Sequence, residues 1–248
     1  MRSILATYFP KRPARAISPR TISLRARLLA ALAPTALLAS VIFCPAVAAH
    51  AQFGPPPTTP VHDPAALKPP PGAKVAIIEF EDLECPDCAT ANPVLKQAAG
   101  QYHIPWMRHD FPLPFHNWSF QAAVNARFFD TKSKTLGDDY RDYIFANQIS
   151  IETPAQLQQF TQKFAQAHGV ALPFAIDPMG KFAQEVKEDY ALGQRIGIEH
   201  TPTIWIVTNG SHAAPFVEVV DRSKLYQLID QAIADTKEVK PEGKKHSR

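Results

Sequence analysis

The chain has 248 residues, 46% hydrophobic and 20% charged, which fits one soluble globular core with appendages. Its formal net charge of +3 is misleading, because residues 1–51 hold seven Arg or Lys and no Asp or Glu. The remainder carries 19 basic and 23 acidic residues, a net charge of −4, which excludes a basic nucleic-acid-binding surface as the reason for the charge balance.

The N-terminal segment, residues 1–51, reads as a signal peptide. Its basic stretch ends at Arg27, an apolar run covers Leu28 to Phe43, and Ala49-His50-Ala51 offers small residues for cleavage before Gln52. The alternative is an uncleaved membrane anchor, since Leu28–Ala51 is long enough to span a bilayer. Pro34, Pro45 and the Ala-x-Ala site argue against it. Cleavage would remove Cys44 and leave two cysteines in the mature chain, in an extracytoplasmic or periplasmic compartment where disulfides persist. Residues 52–73 hold eight prolines and read as a semi-rigid linker, with packed structure expected from Lys74. Residues 237–248 read as a basic, frayed tail.

The first predicted element is an apolar strand over 75–80, followed by the Cys85-Pro86-Asp87-Cys88 loop and a helix over 86–100. A second strand is predicted over 103–109, before Asp110-Phe111-Pro112-Leu113-Pro114 breaks regular structure. One helix is expected after Asn117 and another over 137–147. Thr153-Pro154 opens a helix closed by Gly169, and Asp177-Pro178 opens one ending near Gly197. Strand 203–208, an Asn209-Gly210 turn, strand 216–220 and a helix over 222–236 complete the order. The near-continuous apolar run of the first strand predicts a sheet covered on both faces. The interval from Cys88 to Pro202 is far longer than a simple βαβ crossover of about 30 residues, so it must contain a helical insertion.

The C-x-x-C pair carries the chemistry. Two thiols at this spacing close a small disulfide ring, and a thiol at a helix N-terminus has its thiolate favoured by free N–H groups and the helix dipole. The thiolate is the form that attacks disulfides. A purely structural bridge would constrain too little chain to matter, and a zinc site would need two further ligands.

With Glu79-Phe80 upstream of the cysteines, His109-Asp110-Phe111-Pro112-Leu113 and Ile198-Glu199-His200-Thr201-Pro202-Thr203, the sequence resembles the DsbA-like branch of the thioredoxin superfamily over residues 74–236. The resemblance implies an α/β thioredoxin-like fold with a helical insert over about 117–197. It implies a protein dithiol–disulfide oxidoreductase with Cys85 as nucleophile, Cys88 as buried resolving thiol, Glu79 as the buried acid that moves the Cys88 proton, and Pro202 as a cis proline beside the dithiol. Thr201, His200, Pro86 and Asp87 would form the surface offered to substrate. His109 and His200 depart from the family's usual Arg and Gly at those places, which bears on substrate preference. No cofactor and no metal is expected. The expected partners are reduced or misoxidised exported proteins and a recycling redox partner, with the protein a monomer. The competing function is a copper-binding or assembly factor without turnover, for which Cys85, Cys88 and His200 are a conceivable Cu(I) set. A reductase or isomerase arm is the other alternative. Because Glu81, Asp82, Glu84 and Asp87 crowd the loop and disfavour a thiolate, an oxidant weaker than the strongest family members is expected.

Overall fold

The fold is organised around β1, Val75–Glu81, whose seven residues are all buried. In the computed structural model, which describes residues 58–210 and 215–237, β1 lies parallel to β2 (Trp106–Asp110) and antiparallel to β3 (Thr203–Thr208). A short β4 (Phe216–Glu218) pairs antiparallel with β3, so the sheet order is β2-β1-β3-β4. The signal peptide and most of the basic tail lie outside the described residues. Among the described residues no helix is long and apolar enough to cross a membrane.

Side chains alternate across a strand, so β1 serves two cores. Val75 and Ile77 pack with Ile204 and Ile206 beneath α1 (Pro86–Tyr102) and α6 (Leu225–Asp235). Ala76, Ile78 and Phe80 pack with Trp205, Val207 and Phe111 beneath α5 (Lys181–Ile196). The sheet is therefore covered on both faces, as the apolar run predicts. The insert is formed by α2 (Ser119–Asp130), α3 (Lys134–Asn147), α4 (Pro154–Ala167) and α5. Its core of Phe129, Tyr140, Ile144 and Phe164 runs continuously into Leu83, Cys85 and Cys88.

Several boundaries differ from the sequence reading for local reasons. The first helix passes Gly100 and ends where His103 adopts a left-handed φ of 52°, so β2 starts at Trp106. Helix α3 starts earlier than residue 137, because Ser133 accepts a hydrogen bond from the Leu136 N–H and caps it. The Asp177 carboxylate accepts from the Ala183 N–H across an intervening turn, and α5 starts only at Lys181. Asn209 is not half of a two-residue hairpin, because its N–H bonds the Lys74 carbonyl and β4 begins only at Phe216.

The linker also packs further than expected. From Thr59 onward it is a strap across the domain, not a bare tether ending at Ala73. Thr59 donates through its N–H and hydroxyl to the Glu218 carboxylate (2.6 and 2.8 Å). The His62 N–H bonds the Ile196 carbonyl, and Asp63 accepts from Arg195. Leu67, 2% exposed, joins the core beside Trp205. A proline-rich segment loses little conformational entropy when laid on a surface, so a few apolar anchors suffice to hold it. Gly197 (φ 106°) permits the close approach, since a Cβ there would come within 2.6 Å of the Pro60 carbonyl oxygen.

Gly193 in α5 is a second close contact. A Cβ there would lie 2.5 Å from the Phe111 ring and 3.1 Å from Phe80. Gly193→Ala is therefore expected to destabilise the domain by about 1–3 kcal/mol through overpacking, read as a lower urea midpoint with unchanged m-value.

Candidate active site

Cys85 is the N-cap of α1, and Pro86 occupies the first helical position, where its missing N–H matters least. Cys88 lies one turn in. Both are free thiols, Cys85 at 8% exposure and Cys88 at 0%. The Cys85 S–H donates to the Thr201 carbonyl (3.3 Å), which brings together residues 116 positions apart. The Thr201-Pro202 bond is cis. The Asp82 N–H donates to Cys88 Sγ (3.5 Å).

The two sulfurs titrate in opposite directions. Hydrogen bonding from Cys88 lowers the Cys85 pKa to about 6, against desolvation and with help from the Thr201 side chain and the Cys88 and Asp87 amides. Burial pushes the Cys88 thiol well above its ordinary value, helped by hydrogen bonding to Cys85 and by the Glu79 charge. At neutral pH the outer sulfur is a thiolate and the inner one a thiol.

Glu79 sits beneath this pair on β1. It is fully buried, with β2 and β3 on either side. Its Oε2 accepts from the Trp106 indole N–H (3.0 Å), while its Oε1 has no hydrogen-bond partner among the described residues. Desolvation raises its pKa well above the usual carboxylate range, and Glu81 adds to that. Burial therefore favours the protonated carboxyl, and Glu79 and Cys88 each make the other harder to ionise.

The other acids of the loop are each engaged. Glu81 takes a bidentate pair from Arg108 (3.0 and 2.8 Å), with both side chains almost fully buried. Asp82 accepts from the Leu113 N–H (2.6 Å), the Glu84 N–H (2.7 Å) and the Ser119 hydroxyl, and contacts His116 Nδ1 (2.7 Å). Glu84 accepts from the Trp118 and Ser119 N–H groups (2.7 and 3.0 Å) and so caps α2. Asp87 pairs with Arg222. The expectation that these four charges act together against the Cys85 thiolate is therefore corrected: hydrogen bonds lead among the influences on Cys85, and each carboxylate has its own partner.

The structure brings Cys85, Cys88, Glu79, Thr201 and Pro202 to one place. Pro86 lines a groove of about 400 Å³ with Trp118, Phe145 and Ile151, and Ile149 stands exposed on its rim. His200 is exposed beside Thr201, away from that groove and lining a small cavity with Thr59 and Pro60, and it interacts electrostatically with Asp87. Among the described residues no group of three or more His, Cys, Asp or Glu is arranged to hold a metal. Sequence reasoning missed Trp106, Arg108 and Arg222. No local signal marks them, because their partners lie 27 to 135 positions away in the chain.

A thioredoxin family model matches residues 70–223. The chain belongs to the thioredoxin family. Its fold is the DsbA-like form, with the helical insertion described above. Among solved structures it is similar to the thiol-disulfide exchange protein alpha-DsbA2 of Wolbachia pipientis, at 18% identity and TM-score 0.52, covering 66% of this chain and 84% of that one. It is likewise similar to Pseudomonas aeruginosa DsbA2, at 22% identity and TM-score 0.51, covering 69% and 95%. A Proteus mirabilis ScsC variant with a linker deletion matches at 17% identity and TM-score 0.51, covering 69% and 79%. No curated protein matches the sequence.

Two outcomes follow from the site. Alkylation of Cys85 by iodoacetamide should fall off below a midpoint near pH 6, followed by mass spectrometry of the Cys85 peptide. Glu79 is protonated more readily in the folded state than in the unfolded one. The reduced protein should therefore lose stability as pH rises above the ordinary Glu value, because the unfolded chain then binds fewer protons. Glu79→Gln should flatten that slope above the ordinary Glu value in chemical denaturation under reductant.

Proposed function

We propose that this protein is an exported protein dithiol–disulfide oxidoreductase working through Cys85 and Cys88. The observation that carries the reading is the split between the two sulfurs: a thiolate-prone Cys85 at a helix N-terminus and a buried, proton-holding Cys88 over Glu79. The similar proteins with thiol-disulfide exchange in their description support it.

In the oxidising direction, a substrate thiolate attacks Cys85 Sγ of the Cys85–Cys88 disulfide. The protein S–S bond breaks, and Cys88 leaves as a thiolate that takes a proton from Glu79. A second substrate thiolate then attacks the substrate sulfur of the mixed disulfide and releases the Cys85 thiolate. Two electrons pass from the substrate dithiol to the protein pair, and Glu79 regains its proton from solvent. The reverse sequence reduces a substrate disulfide. Thr201 and His200 on one side, and Pro86 with its groove on the other, frame the approach to Cys85. Asp87 is the remaining surface group between the thiols.

The leader supports export to a periplasmic or other extracytoplasmic space. Reduced or misoxidised exported proteins are then the substrates, and a separate redox protein recycles the pair. A monomer suffices, since Cys85, Cys88, Glu79 and Pro202 all come from one chain. The proposed oxidant is milder than the strongest of this fold, because a Cys85 value of about 6 lies well above the roughly 3.5 of the strongest oxidant.

The test is insulin reduction and refolding of a reduced, scrambled substrate by wild type and Cys85→Ser. The substitution should reduce both activities to background. Equal activity in the two proteins would remove the enzymatic reading in favour of a binding or assembly factor. Equilibration with glutathione should give a potential more reducing than about −120 mV.

A further inference from the structure

Of the acids at the loop, Glu81, Asp82 and Glu84 are engaged within the fold, and only Asp87 faces solvent between the two thiols. Its side chain is 57% exposed. Arg222, 135 positions later, meets it as a fork: Nη1 donates to Oδ2 at 2.9 Å and Nη2 to Oδ1 at 2.5 Å. Arg222 opens the short turn Arg222–Lys224 before α6. That turn is itself fixed, because the Asp221 carboxylate accepts from the Ser223 N–H and hydroxyl (3.0 and 2.7 Å). The guanidinium is therefore delivered to Asp87 from a shaped turn.

An exposed ion pair contributes little to folding stability. Next to a dithiol the same small energy acts differently. The reduced form carries a thiolate at Cys85 and the oxidised form does not, so any charge nearby biases the redox equilibrium. Around the dithiol, Glu79 on β1 interacts with both sulfurs and Arg222 before α6 with Cys88, while His200 before β3 and Arg222 both act on Asp87, which stands between the two cysteines in α1.

We propose that Arg222 is a positioning residue that sets the redox poise of Cys85–Cys88 by holding the Asp87 carboxylate in a fixed ion pair and cancelling its repulsion of the Cys85 thiolate. The inference rests on the exchange function proposed above. It turns the local Asp87, a residue that reads as opposing the thiolate, into a nearly neutral one. It also couples the turn before α6 to the chemistry at the start of α1.

The experiment equilibrates the full chain with defined ratios of reduced and oxidised glutathione. The Cys85–Cys88 state is read by differential alkylation and mass spectrometry. Two glutathione thiols reduce the protein disulfide and leave as glutathione disulfide, so the equilibrium constant is defined without any protein substrate. Arg222→Gln should shift the equilibrium toward the disulfide by about two- to fivefold, the range of an exposed charge interaction. Asp87→Asn leaves the cation unopposed and should shift it toward the dithiol by a similar factor. The double variant should return to within about twofold of wild type. Arg222→Lys, which keeps the charge, should recover most of the Arg222→Gln loss. The Arg222→Gln shift should shrink in about 1 M salt, where the Debye length falls to about 3 Å. An unchanged equilibrium in Arg222→Gln, or shifts of the same sign in the two single variants, would overturn the inference. Loss of insulin reduction by wild type would overturn the exchange function instead, and the glutathione equilibrium would still be readable.

Discussion

Two sulfurs one helical turn apart in this protein have unlike environments, and the rest of the structure is arranged to keep them so. Cys85 has helix-terminal amides, a thiol neighbour and the Thr201 side chain, all of which lower its pKa, and the Thr201 carbonyl beside it. Cys88 has the insert core on one side and a buried carboxyl below. The difference cannot come from the C-x-x-C spacing, which places both in the same turn. It comes from what packs on each.

The packing that creates the difference is a junction of two layers. β1 passes Glu79 beneath α1, while Trp106 on the neighbouring strand donates to that carboxyl and holds it in place. Two residues along the same face, Glu81 is met by Arg108, and the Arg108 guanidinium also stacks over the Trp106 ring at 4.3 Å. Arg141 of α3 pairs bidentately with Asp130 of α2 and approaches Glu81 at 3.6 Å. A buried pair of this kind is weak support for net stability but costs a great deal to break. Its physical effect here is to register the insert against the sheet: α3 cannot slide without stranding an arginine. Both walls around Cys88 are held by that registration.

The acidic run Glu81-Asp82-Leu83-Glu84 shows how position overrides composition. Read as a line of charge, it opposes a thiolate. In the fold one carboxylate anchors an arginine, the next holds the Leu113–Ser119 segment, and the third caps the helix that opens the insert. The same residues that look like electrostatic noise around the cysteines attach the insert to the site. The strap from Thr59 has a related role on the far side, lying across the end of α5 and the start of the segment that leads to Thr201.

The sequence by itself determined the main elements and singled out the dithiol. Apolar periodicity marked the β1 and β3 strands, a capping residue marked Thr153, and the C-x-x-C with Glu79 a few residues upstream marked the dithiol, because each of these is written within a few residues; Thr201-Pro202 entered only through the family resemblance, and the fold carries it 116 positions back to Cys85. Boundaries drifted where a left-handed His103, a Ser133 cap or an Asp177 side chain acted against the pattern. Tertiary structure alone decided how deeply the strap packs, which carboxylates are neutralised, and that Arg222 reaches Asp87. Each of those depends on a charge or an apolar side chain meeting a partner from a distant element, and pairing across 135 positions leaves no trace in local pattern. The sequence thus names the two thiols, and the surrounding layers decide which of them holds the proton.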